Sequence, residues 1–283
     1  MAYYLSKSEW ANSKIIPEGM NLDMLNQEGR LDLLLKPAIS AVAKGNTFID
    51  LGCGTGLLGI HALEHGAEFV YFVEQDAQMI HILENVLPKK LKSNCYKIIH
   101  KDLEHLAKED FDQNIPTIGA SEFFGPRLFD EGYVNYSKHL RSLFPDLKFI
   151  PEMFLGRFYL IDIDYEQPIW PKDKNLIEYF HFMYREKAFG QYLQNINEKE
   201  LVGEISFNAN TQEFKNLLEF EYLKKENKIL LGEMLINHNE LIHIHTHIGW
   251  FLDKEDYKKV FQIYFDKDNY FNPIKKDITP GEM

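Results

Sequence analysis

Two glutamates nine residues apart, Glu122 and Glu131, stand in the stretch Ser121-Glu122-Phe123-Phe124-Gly125-Pro126-Arg127-Leu128-Phe129-Asp130-Glu131. On one continuous helix, nine residues make about two and a half turns, and the two carboxylates would face opposite ways. They converge only if the backbone folds back between them, and Gly125-Pro126 supplies such a break. Two converging carboxylates bind a planar cation carrying several N–H donors, a description that guanidinium fits. Guanidinium is a poor nucleophile, because its lone pairs are delocalised and its pKa lies above about 12. Carboxylates along one edge draw positive charge away from the opposite nitrogen, so that catalysis would rest on orientation and charge placement.

A second chemical signal precedes this one. In Thr47-Phe48-Ile49-Asp50-Leu51-Gly52-Cys53-Gly54-Thr55-Gly56-Leu57-Leu58-Gly59-Ile60, a short β-branched and aromatic run ends at Asp50. Three glycines follow at alternate positions, then apolar residues at helical spacing. Strand, glycine loop and helix open a doubly wound α/β fold, with glycines where the backbone must turn tightly and approach a ligand. The spacing differs from the dinucleotide-binding pattern. Asp-Leu-Gly-Cys-Gly-Thr-Gly resembles motif I of the Rossmann-like methyltransferases that bind S-adenosylmethionine (SAM).

Two further stretches resemble one branch of those enzymes, the protein arginine methyltransferases. Glu122, Gly125 and Glu131 match that family's double-glutamate loop. Met24-Leu25-Asn26-Gln27-Glu28-Gly29-Arg30 resembles its helix Met-Leu-x-Asp-x-x-Arg, although Gln27 stands where the family has an acid. The resemblance implies that Arg30 clamps the methionine carboxylate of SAM through paired hydrogen bonds. It further implies that Asp50, Gly52, Gly54, Gly56, Leu103 and Glu104 hold the nucleoside. Glu74, ending the expected second strand, would accept from the ribose hydroxyls, and Glu104 from the adenine amine, with Asp102 a close competitor. Glu122 and Glu131 would hold and polarise the acceptor. Phe149-Ile150-Pro151-Glu152 resembles the family's junction into a β-barrel, and Ile242 to Phe251 resembles one of its barrel strands. The family's aromatic lid pair would fall near Ala11-Asn12, where neither aromatic occurs; Tyr3, Tyr4 and Trp10 lie nearby.

The elements that must position these residues follow from the pattern. Leu22 to Ala38 has helical spacing, interrupted by Pro37. Val70–Val73, Tyr96–His100 and Thr117–Ala120 read as the second, third and fourth strands, with a helix over 77–87 stopped by Pro88. Beyond Pro145 the texture turns to alternating strands: 153–163, 202–207, 217–222, 229–235 and 241–251. The expected architecture is α/β: a Rossmann-like SAM-binding domain with an N-terminal helix (1–148), then a smaller β-rich, barrel-like domain for substrate or dimerisation (149–283). A strand places His243, His245 and His247 on one face. No carboxylate motif completes a metal site around them, and none is expected.

Composition sets the outer bounds. Of the 283 residues, 45% are hydrophobic and 26% charged, as in ordinary globular domains. A net charge of −12 argues against an electrostatic nucleic-acid partner and mildly favours a cationic substrate. Two cysteines make neither a disulfide framework nor a zinc site alone. No signal-peptide pattern or apolar run of about 18 residues occurs, so the expected setting is cytoplasmic, without a membrane. The sequence therefore reads as a SAM-dependent N-methyltransferase of a guanidino acceptor (protein, peptide or small molecule), with a homodimer as the candidate assembly. The alternatives are methyl transfer to another small-molecule amine or hydroxyl, and SAM binding without catalysis.

Overall fold

A computed structural model of the chain describes residues 31–112, 114–122, 132–162, 182–184, 200–216, 219–221, 228–251 and 260–262. These fall into two compact units, one drawn from Met1–Glu122 and His139–Ile150, the other from Phe123–Lys138 and Pro151–Met283.

The first unit is built on five parallel strands: β1 (Thr47–Leu51), β2 (Phe69–Glu74), β3 (Tyr96–His100), β4 (Ile118–Ser121) and β5 (Lys148–Ile150), in the order β3-β2-β1-β4-β5. Central strands of such a sheet are covered on both faces, which is why β1 and β2 read as apolar runs rather than alternating ones. Phe48, Ile49, Val70, Tyr71, Phe72 and Val73 are all buried.

Helix α1 (Lys36–Val42) precedes β1 and carries Pro37 in its first turn, directly after a π-helical turn, Leu31–Leu35. Pro37 thus starts a fresh helix, and the hydrogen bond it cannot donate falls at the junction. Helix α2 (Leu57–Glu64) crosses from β1 to β2, and α3 (Ala77–Lys90) from β2 to β3. Asp76 caps α3 by accepting from the Gln78 and Met79 N–H groups. Pro88 does not stop α3 as the sequence suggested. It sits in the last turn, where its missing N–H removes a single bond, and Leu91 N–H still reaches Leu87 O at 2.8 Å. Between β3 and β4 run two 3-10 turns, Leu103–His105 and Lys108–Asp110, and α4 (Tyr133–Leu143) leads into β5.

In the second unit, a six-stranded antiparallel sheet has the order β7-β12-β11-β6-β8-β9. Its members are β6 (Met153–Asp162), β7 (Phe182–Tyr184), β8 (Glu200–Asn208), β9 (Glu213–Asn216), β11 (Lys228–His238) and β12 (Leu241–Phe251). Strands β10 (Glu219–Glu221) and β13 (Val260–Gln262) pair separately. The expected strand over 217–222 contains β10, while residues 217, 218 and 222 lie outside the described residues. The fold class is as expected: a Rossmann-like α/β unit accompanied by a β-rich one.

The β11–β12 register corrects the reading of the three histidines. Ile244 lies opposite Leu235 and Thr246 opposite Met234, so His245 is the extra residue of a bulge. A bulge breaks the two-residue repeat on which a shared face depends. His243 then stands at the Ile236 register position and His247 at that of Glu233, an odd number of residues apart. Among the described residues no group of three metal-ligating side chains forms.

Tyr133, two residues beyond Glu131, is buried. Its hydroxyl donates to Pro151 O at 2.9 Å, and its ring lies 4.4 Å from that of Phe154. The start of α4 is thereby tied to the start of β6. Removing only the hydroxyl, in Tyr133→Phe, leaves the ring packing and strands a buried carbonyl, at an expected cost of about 1 kcal/mol in chemical denaturation.

Gly59 marks the tightest approach in the first unit. A Cβ there would meet Phe72 Cε1 at 2.4 Å and Val70 Cγ1 at 2.8 Å, both on fully buried side chains. Gly59→Ala should therefore lower unfolding stability by roughly 1–3 kcal/mol, an overpacking cost, measured by denaturant titration.

Candidate active site

The strand order reverses between β1 and β4: successive strands run outward from β1 through β2 and β3, then return beside β1 as β4 and β5. In open parallel sheets, ligands bind beyond the carboxyl ends at such a switch point. Here those ends carry Asp50 and the glycine loop on β1, Glu74 on β2, and Ser121-Glu122 on β4.

Register puts three of these acids on one face. Asp50 lies beside Phe72 and beside Ala120, so Glu74 and Glu122, each two residues further along, continue Asp50's side of the sheet. The electrostatics agree, since Asp50 feels the charges of both Glu122 and Glu74. Helix α2 packs on this side, because the side chain nearest Gly56 and Gly59 is that of Phe72 or its neighbour Leu83. Ser121 has the opposite parity and shares the face of Leu51. Its hydroxyl is fully buried without a partner among the described residues.

The glycine loop is shaped by the same acids. Gly52, Gly54 and Gly56 have φ of 56°, 50° and 77°, in the left-handed region that side-chain-bearing residues avoid. Cys53 N–H reaches across to Val73 O at 2.9 Å, and Gly56 N–H returns to Cys53 O at 2.7 Å. Gly56 is the N-cap of α2 and has no side chain to offer the first-turn N–H groups. Asp50 supplies that acceptor from the neighbouring strand: Gly59 N–H donates to its Oδ2 at 2.7 Å. Glu74 fastens the other side of the loop, with Gly54 N–H donating to Oε2 at 2.9 Å and Gln75 and Asp76 N–H to Oε1 at 2.8 Å each. The expectation assigned Glu74 to a ligand alone; its role in holding the loop was invisible without the fold.

Burial decides the protonation of two groups here. Asp50 is 2% exposed, and desolvation raises its carboxyl well above the usual carboxylate range. The Gly59 hydrogen bond opposes that rise, and the charges of Glu122 and Glu74 add to it. The Cys53 thiol is pushed up by burial, with Asp50 and Glu74 adding to the effect, which makes it a packing residue rather than a nucleophile.

Beyond β3, Leu103 is buried and Glu104 exposed. Asp102 accepts from Glu104 N–H at 2.8 Å and caps the 3-10 turn, so of the two acids its carboxylate is committed to the backbone. Glu122 lies at the end of β4 with its Oε1 shielded from solvent. Arg30, Gly125-Pro126 and Glu131 lie outside the described residues, as do Tyr3, Tyr4 and Trp10.

Known proteins share the fold that carries these residues. A family model described as Conserved hypothetical protein 95 matches residues 34–116, which span β1 to β3 and the site loops between them. The crystal structure of PRMT6-SAH is similar at 17% identity and a TM-score of 0.57, over 84% of this chain and 88% of that one. Another structure of PRMT6 is similar at 16% identity and a TM-score of 0.60, over 92% and 98%. The Trypanosoma brucei PRMT1 enzyme-prozyme heterotetrameric complex with AdoHcy matches at 19% identity and a TM-score of 0.52, over 91% and 84%. The chain has the fold of these proteins.

A raised Asp50 carboxyl has a consequence for stability. Between the unfolded value near 4 and the higher folded value, the native state binds the extra proton. Burying this group therefore costs stability above the unfolded value, whether the native carboxyl is charged or takes up a proton, and that cost fades as pH falls from the folded value toward the unfolded one. Asp50→Asn keeps an acceptor for Gly59 N–H without the charge. Its unfolding free energy should exceed that of the native chain at pH 8 and approach it at pH 5, in denaturant titrations at both values.

Proposed function

We propose that this chain is a SAM-dependent N-methyltransferase acting on a guanidino group, with arginine in protein, peptide or free form as the acceptor. The observation that carries the reading is the shared face of Asp50, Glu74 and Glu122 at the switch point, beside a left-handed glycine loop. Such a site offers backbone approach for a nucleoside and a negative field for cations. A sulfonium donor and a guanidinium acceptor are both cations. The fold shared with PRMT6-SAH and with the AdoHcy complex of Trypanosoma brucei PRMT1 supports the same donor.

In this reading the glycine loop and Leu103 enclose the nucleoside. Glu74, already oriented by three backbone N–H groups, accepts from the ribose hydroxyls with its remaining lone pairs. Glu104 reaches the adenine amine, and Arg30 the methionine carboxylate. Glu122 and Glu131 pair with the guanidinium and localise its charge on the edge away from the donor. When bound, SAM would supply an electrophilic sulfonium methyl to the facing nitrogen, and Glu122, Glu131 or water would take up the proton that this nitrogen gives up. The N-terminal domain (1–148) binds SAM, and the β-rich domain (149–283) serves substrate binding or dimerisation. Among the described residues, no helix is long and apolar enough to cross a membrane. We assign the enzyme to the cytoplasm.

Calorimetry should detect binding of SAM and of S-adenosylhomocysteine, weakened roughly 10–100-fold by Glu74→Ala, which removes the ribose acceptor (~1.4 kcal/mol per tenfold). With radiolabelled SAM, arginine peptides should gain label, and Glu122→Gln should abolish transfer, at least about 100-fold, while SAM affinity stays within a few-fold. Label on lysine or hydroxyl acceptors and none on arginine would replace the guanidine assignment with another acceptor class. Absence of SAM binding would end the methyltransferase reading.

A further inference from the structure

If SAM is the donor, this site must tell a cation from its neutral product, since the two differ by one methyl and one positive charge on sulfur. We propose that Asp50 makes that distinction: its carboxyl group holds a proton when the site is empty or carries the neutral thioether, and releases it to solvent when a sulfonium enters. The inference rests on the functional reading above and adds a specificity-determining residue that does not itself touch the substrate.

Three geometric facts carry it. Asp50 is 2% exposed, and Gly59 N–H, at 2.7 Å, is the hydrogen-bond donor it has among the described residues, so its ionised form is under-solvated. Glu74 and Glu122 continue its side of the sheet from the two flanking strands. Glu74 is also pinned to the glycine loop that follows Asp50, through Gly54 N–H.

Among the described residues, the groups that face Asp50 from the elements packed around it offer no positive charge. From β2 it meets Glu74, from β4 Glu122, from the glycine loop Cys53, and from α2 Gly59; the side-chain charges acting on it among the described residues are both negative. Burial raises the carboxyl, and the two like charges add to that rise. A cation arriving in this field reverses the balance. It favours the ionised carboxylate, and by linkage the ionised carboxylate favours the cation. Loss of the methyl to the acceptor removes the charge, and Asp50 takes a proton back from solvent as the thioether forms. The amino and carboxylate groups of SAM and S-adenosylhomocysteine are common to both, so any difference between them isolates the sulfonium.

The test is titration calorimetry of the full chain with SAM and with S-adenosylhomocysteine, at one pH in two buffers of different ionisation enthalpy. The native chain should release more protons with SAM than with S-adenosylhomocysteine, and the affinity ratio of the two should rise with pH before levelling off. Asp50→Asn should abolish the difference in proton release and flatten the ratio, whereas Glu122→Gln should keep the difference. Equal proton counts for the two ligands in the native chain would overturn the proposal, as would a difference that survives in Asp50→Asn but vanishes in Glu122→Gln. Should Asp50→Asn fail to fold, the native affinity ratio decides alone: a ratio constant from pH 5.5 to 9 overturns it. Binding of neither ligand would instead overturn the donor assignment on which the proposal stands.

Discussion

A single hydrogen bond, from Gly59 N–H to the buried carboxylate of Asp50, holds the first turn of α2 against the end of β1. Helix N-termini leave N–H groups without intrahelical partners, and an N-cap side chain normally meets one of them. The chain needs glycine at position 56, in left-handed backbone, to bring the loop round, and glycine has no side chain to cap with. The acceptor must then come from elsewhere in the fold. That demand explains an acid with almost no solvent access in the middle of an apolar sheet.

Once Asp50 is in place, the parallel register does the rest. Side chains in neighbouring parallel strands share a face when their residues are partners, and alternate along each strand. Phe72 and Ala120 are Asp50's partners, so the residues two further on, Glu74 and Glu122, are carried to the same face. Three acids far apart in the chain converge for a reason as simple as strand pleat. The outcome is a cluster in which the charges of Glu74 and Glu122 oppose the ionisation of Asp50. Glu74 shows the economy of this design: the carboxylate that would meet a ribose also accepts from Gly54, Gln75 and Asp76.

The parts of this arrangement that were legible in the chain share a property: their signal is local. Strand β1, the alternate glycines and α2 could be read because loop geometry demands glycine at fixed spacing. Strands β2 and β3 could be read because buried strands must be apolar. Helix α4 and strand β5 gave no such signal. Lys148–Ile150 is three residues long, and its strand character comes from pairing with β4. The stop expected at Pro88 failed because a proline in the last turn removes only one hydrogen bond. The three alternating histidines promised a common face, but the bulge at His245 depends on how β11 lies beside β12, which no spacing within β12 discloses.

What the chain alone determined is therefore which residues are able to do chemistry: a loop of left-handed glycines, an acid at the end of each relevant strand, and a pair of glutamates parted by Gly-Pro. Backbone conformation and residue type are properties of a few neighbouring positions, and the amino-acid order states them directly. Tertiary structure decided which of those acids share a face of the sheet, that Asp50 is sealed from water, and that Ser121 lies on the opposite face from Glu122. Those outcomes depend on register between strands some twenty to seventy residues apart. Register is set by packing across the whole sheet, so no local stretch of sequence contains it.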